Sequence, residues 1–157
     1  MKKESLALLL GYLKNQQAEI DRLLAEIKRT EPEDNEKTVY IGYSLHNLYC
    51  AFEDLFKEIA KTFENQIEDP SKYHRELLYR MSFEIPLIRP NFLSKESYGI
   101  LDELRRFRHT FRHAYTYDLD SQKVKDLKVR ILSKYSKILL DMDRFEDYLK
   151  VKIGEEH

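Results

Sequence analysis

The chain reads as an all-α protein, an antiparallel bundle of about five helices. Three observations predict it. Apolar residues recur at three- and four-residue spacing through long segments. No segment alternates apolar with polar residues as a half-buried strand would. Four glycines and four prolines in 157 residues leave room for few turns, so the elements must be few and long.

The first helix is expected over about residues 5–29, where Leu6, Leu9, Leu10, Leu13, Ile20, Leu23, Leu24 and Ile27 make one apolar face. Lys28 and Arg29 suit its C-terminal end, and Glu31-Pro32 closes it. The second, about residues 36–66, buries Ile41, Leu45, Leu48, Phe52, Leu55, Ile59 and Phe63 and is the expected spine. Tyr40, Tyr43 and Tyr49 fall off that stripe and are free to meet another helix or a partner chain. Pro70-Ser71 opens a short third helix to about residue 83, carrying Tyr73, Leu77, Leu78 and Met81. Two prolines four residues apart in EIPLIRPNF, residues 84–92, forbid its continuation and predict an ordered apolar loop.

Ser94, followed by Glu96 and Ser97, marks the start of the fourth helix, with Ile100, Leu104, Phe107, Phe111 and Ala114 inward. Asp118 to Ser121 reads as a turn in which Asp120 or Ser121 caps the fifth helix. That helix runs over about residues 122–152 on Val124, Leu127, Ile131, Tyr135, Ile138, Met142, Phe145 and Leu149.

Residues 1–157 are expected to form a single domain, since this length suffices for one core. A hydrophobic share of 42% beside 35% charged residues describes a folded, charge-coated chain rather than a disordered one. Net charge is −1, which argues against a general DNA-coating surface and confines any nucleic-acid contact to a patch. Cys50 is the only cysteine, so no intrachain disulfide forms, and a buried thiol is its plain reading. The apolar run near the N-terminus breaks at Gly11 without a small-residue cleavage site, unlike a signal peptide. No stretch reaches the ~18 apolar residues of a membrane span, so a cytoplasmic protein without a membrane partner is expected.

One stretch departs from this even distribution of charge. LRRFRHTFRHAYTYDLD, residues 104–120, holds Arg105, Arg106, Arg108, His109, Arg112 and His113 without an acid between Arg105 and His113. His109 and His113 are four apart, as two zinc ligands can be. Yet Thr110 stands where a zinc protease has glutamate, and Arg108 and Arg112 flank the pair, so no metal is expected. No glycine-rich phosphate loop occurs, and no cofactor is expected.

The residues suit phosphodiester chemistry. RNA cleavage without metal needs one group to take the 2′-OH proton, one to protonate the leaving 5′-oxygen, and fixed positive charge for the phosphorane. Histidine carries protons near neutral pH, arginine offers phosphate a two-pronged fork, and tyrosine orients phosphate or stacks on a base. At ~100° per residue, Arg108 and Tyr115 share a helix face while His113 points ~140° from Arg108. Either the helix ends or distorts near His113, or two chains assemble the site across a two-fold axis. The second option also supplies the missing second histidine. Against this stands the plain reading of a solvated helix face whose arginines complement the C-terminal dipole.

Arg108-x4-His113-x-Tyr115 resembles the Arg-x(4–6)-His motif of the HEPN superfamily, and more narrowly the Arg-x4-His-x-Tyr form of HepT-like toxins. FRHTFRHAYTYDLD and the second-helix stretch SLHNLYCAFEDLFKEIAKTFEN are similar to members of that family too, so the likeness covers most of the chain from Tyr40 to the C-terminus. The resemblance implies a homodimeric, metal-independent endoribonuclease toxin of a prokaryotic type II or type VII-like toxin–antitoxin pair. Arg108 and His113 would be its catalytic pair, assisted by Tyr115. Arg105, Arg106, His109 and Arg112 would widen the RNA-binding patch, His109 also being a candidate second proton carrier. The implied partner is a minimal nucleotidyltransferase antitoxin that transfers AMP from ATP to Tyr115, with Tyr117 a second acceptor in reach. The alternative is a non-catalytic HEPN bundle that binds a nucleotidyltransferase or a nucleotide. A plain helical protein docking an acidic partner through its arginines is the third reading.

Overall fold

The computed structural model describes residues 2–63, 73–113 (His113 by its backbone) and 119–155. Five helices follow one another: α1 (Lys3–Arg29), α2 (Asn35–Phe63), α3 (Tyr73–Arg80), α4 (Lys95–His113) and α5 (Ser121–Glu155). Apart from a lone bridge between Ile85 and Arg89, the described residues contain no strand. The expected all-α antiparallel bundle is what forms.

Cross-helix contacts give the directions. Gln16 of α1 donates to the Ala51 carbonyl of α2 at 2.7 Å, and the Tyr40 hydroxyl donates to Glu26 at 2.7 Å, so rising numbers on one helix meet falling numbers on the other. The same holds for α1 on α5, where Tyr135 donates to Asp21 at 2.5 Å and Lys14 pairs with Glu146 at 3.6 Å. It holds again for α4 on α5, through Arg130–Glu103 and Lys137–Glu96.

Side-chain caps fix where α2, α4 and α5 begin. Asp34 accepts from the Lys37 amide at 2.8 Å, and Asp120 accepts from the amides of Gln122 at 3.0 Å and Lys123 at 3.3 Å. Ser94 accepts from the Ser97 amide at 3.3 Å, while its own hydroxyl and amide donate to Asp141 of α5 at 2.9 and 2.8 Å. The start of α4, and with it the register of the arginine stretch, is thus tied to α5.

Residues 81–94 between α3 and α4 are ordered as expected, but only partly through apolar burial. Phe92 and Leu93 enter the core, their amides donating to the Met81 carbonyl. Leu87, at φ 70°, and Ile88 face solvent instead. The loop is held by Arg89, 2% exposed, which donates to the carbonyls of Arg80 (2.9 Å), Pro90 (2.9 Å) and Phe83 (3.2 Å).

The core gathers around α2, with Phe56, Phe92 and Phe145 meeting edge to face and Phe52 stacked beside Phe56. Packed by α1, α3, α4 and α5, α2 is buried on more than the one stripe read from its sequence. Tyr49, expected off that stripe, is therefore wholly enclosed, whereas Tyr40 and Tyr43 remain exposed.

Candidate phosphate-binding site between α2 and α4

The C-terminal half of α4 lies against α2 at a close approach. A Cβ on Gly42 would meet Phe111 Cε2 at 3.2 Å, Leu119 Cδ2 at 3.3 Å and Phe107 Cζ at 3.5 Å, so the absent side chain lets the helices meet. One turn further along α2, the His46 ring packs on Phe111 with centroids 5.7 Å apart. Cys50, another turn on, receives the Arg108 Nε–H at 3.3 Å on its Sγ, and His46 Nε2 is 3.8 Å from the same sulfur.

Helical periodicity divides the four arginines of the stretch between two faces. Arg105, Arg108 and Arg112 recur at three and four residues and line the α2 side, where they act electrostatically on Tyr49 or His46. Arg106 turns toward α5, where it lines a cavity of about 450 Å³ with Phe107, Thr110, Leu119, Lys123 and Arg130. The pairing differs as well. Arg105 holds Asp102 at 2.8 Å and Arg106 holds it at 3.5 Å, so Asp102 is a partner of this cluster rather than an isolated solvated charge. Among the described residues Arg108 has no carboxylate partner. Its guanidinium is fixed through Nε and keeps both Nη groups for an anion, the arrangement a phosphate-binding arginine needs.

Electrostatics follow from this packing. Burial, then the charges of Arg108 and Arg112, push the His46 pKa below the ordinary imidazole value and favour the neutral ring. Burial also raises the Tyr49 phenol far above its usual range, with Glu53 adding to it and Arg105 and Arg108 opposing. Two polar atoms here are enclosed without a hydrogen-bond partner among the described residues, His46 Nδ1 and the Tyr49 hydroxyl.

Of the residues singled out by sequence, Arg105 and Arg108 are half-buried on the α2 side, while Arg106, His109 and Arg112 are exposed. α4 is helical through His113, whose side chain lies outside the described residues, as do Tyr115 and Tyr117. Sequence reasoning missed His46 and Cys50 as neighbours of Arg108. Their four-residue spacing on one face of the spine helix, off the apolar stripe, was the available signal. No group of three or more metal-ligating side chains occurs among the described residues, and no described helix is long and apolar enough to cross a membrane.

The family model of the HepT-like proteins matches residues 40–149. The chain belongs to the HepT-like family. This places it in the HEPN superfamily, as the motif Arg108-x4-His113-x-Tyr115 suggested. The HepT-like match takes in most of α2, all of α3 and α4, and most of α5; α1 precedes it. No match was found among curated proteins or solved structures.

Proposed function

We propose that this HepT-like protein is the ribonuclease toxin of a toxin–antitoxin pair, a metal-independent endoribonuclease of the cytoplasm. The observation that carries the reading is a HepT-like match spanning Arg108-x4-His113-x-Tyr115, with an Arg108 that pairs with no carboxylate among the described residues. The Arg108 fork binds the scissile phosphate and the charge that grows on it. His113 moves the proton: the 2′-oxygen attacks phosphorus, the 5′-oxygen leaves as a hydroxyl, and a 2′,3′-cyclic phosphate remains. Arg105, Arg106, His109 and Arg112 hold the flanking backbone, and Tyr115 orients the phosphate.

The working unit is a homodimer of single-domain chains, residues 1–157 each. Helix geometry supports it: positions 108 and 113 stand ~140° apart on a regular helix, so one chain's arginine is best served by the other's histidine. A minimal nucleotidyltransferase antitoxin silences the site by adding AMP to Tyr115. The tyrosine oxygen attacks the α-phosphorus of ATP and pyrophosphate leaves. The new phosphate then neutralises Arg108, and the adenosine bulk beside it blocks the RNA-phosphate site.

Induced expression of the wild type and His113→Ala, with total RNA run on a gel, tests the proposal. Growth arrest and new RNA fragments from the wild type alone are expected. Two equally harmless, well-folded proteins without AMP on Tyr115 would refute it and leave a HEPN binding module.

A further inference from the structure

Three polar groups form a chain across the α2–α4 contact that the motif does not include. His46 Nε2 lies 3.8 Å from Cys50 Sγ, and the same sulfur accepts the Arg108 Nε–H at 3.3 Å. Arg108 is 58 residues from Cys50 in sequence, so the contact belongs to the packing of the two helices. With no carboxylate among its described neighbours, Arg108 has this sulfur as its only hydrogen-bond acceptor among the described residues.

We propose that Cys50, backed by His46, is a positioning residue for Arg108, fixing the guanidinium so that both Nη groups face the RNA phosphate. The proposal rests on the ribonuclease reading. A carboxylate at position 50 would hold the arginine more tightly, but it would also neutralise the charge that phosphate must meet. A thiol restrains Nε–H and leaves that charge intact. The neutral His46 ring completes the arrangement. In the tautomer with Nε2 unprotonated it accepts a hydrogen bond from the thiol S–H, which turns the sulfur lone pairs toward Arg108, and Phe111 packs on the ring with centroids 5.7 Å apart. Without the restraint a long side chain samples several rotamers, and fewer of them present the fork correctly.

The test compares Cys50→Ala, Cys50→Ser and His46→Ala with the wild type. It uses RNA cleavage kinetics and the ¹⁵N–¹H signal of Arg108 Nε, identified by its absence in Arg108→Lys. Cys50→Ala should keep its fold and lower kcat by about tenfold with KM little changed, as expected when orientation rather than charge is lost. Cys50→Ser restores an acceptor and should recover most of the rate, which filling space alone would not achieve. The Nε–H signal should be protected from exchange in the wild type and Cys50→Ser, and unprotected in Cys50→Ala. His46→Ala should fall between wild type and Cys50→Ala in both readouts. Wild-type kcat in Cys50→Ala, or an unchanged Nε–H signal, overturns the proposal. A wild type that cuts no RNA overturns the ribonuclease reading and the positioning role with it; the Nε–H signal then still reports whether the contact exists.

Discussion

Replacing Tyr49 by phenylalanine should stabilise the protein, against the usual direction for a change at a fully enclosed position. Tyr49 is 0% exposed, its ring lies in the core, and its hydroxyl is buried with no hydrogen-bond partner among the described residues. A buried hydroxyl that forfeits its water bonds without replacement costs about 1–3 kcal/mol. The Tyr49→Phe variant would escape that cost and keep the ring contacts. Removing one oxygen opens a void smaller than a methyl group, for which about 1 kcal/mol is a ceiling. The net expectation is a gain of about 1 kcal/mol, a rise in Tm of about 2–4 °C for a chain of this size. Urea unfolding followed by circular dichroism should show a higher midpoint at unchanged slope. A loss of about 1 kcal/mol or more would refute the reasoning, since it would mean that the hydroxyl is satisfied by a bridging water.

Two further outcomes follow from the same helix contact. At Gly42, alanine adds about 1 kcal/mol of helix propensity but places its Cβ 3.2 Å from Phe111 and 3.3 Å from Leu119. Both neighbours are side-chain tips able to give a few tenths of an ångström, so Gly42→Ala should stay within about 1 kcal/mol of wild type. Gly42→Leu cannot be absorbed and should lose about 2–3 kcal/mol in urea unfolding, with RNA cleavage falling as α4 is pushed from α2; equal stability for both variants would contradict the close approach. His46 sets a pH dependence. The folded protein resists protonating it while the unfolded chain takes up the proton near the ordinary pKa of about 6.5. The unfolded state thus binds more protons, and stability falls as pH drops through about 6.5 toward the lower folded value. His46→Gln should flatten that part of the urea midpoint-versus-pH curve, and a curve parallel to wild type would show that the ring is not held neutral.

Periodicity made the helices readable because an amphipathic helix writes its buried face into its own sequence. Except for Leu10 and Tyr135, which are only partly buried, the stripes from Leu6 to Ile27 and from Val124 to Leu149 are buried where three-and-four spacing puts them. Caps were equally local: Ser94 and Asp120 act on amides two or three residues away. Tyr49 was placed off the stripe, free to meet another helix or a partner chain. Its full enclosure was not legible because α2 is packed by four other helices, and a helix surrounded in this way no longer separates one apolar stripe from a wet face. Arg89 was given no role in the sequence, and the fold buries this cation of the apolar loop where it donates to three carbonyls.

The candidate site was half legible for a related reason. A run of arginines on one helix announces charge, but its neighbours decide which of them is open to an anion. Asp102 occupies Arg105 and Arg106 from within α4, a pairing that three- and four-residue spacing could have suggested. What Arg108 meets depends on how far α4 slides along α2. Gly42 fixes that register by admitting Phe111, after which Cys50, eight residues or about 12 Å further along α2, comes opposite Arg108. A larger residue at position 42 would thus disturb the arginine without touching it. The spine helix is also one wall of the site, and the glycine that lets α4 close on it sets where Arg108 stands.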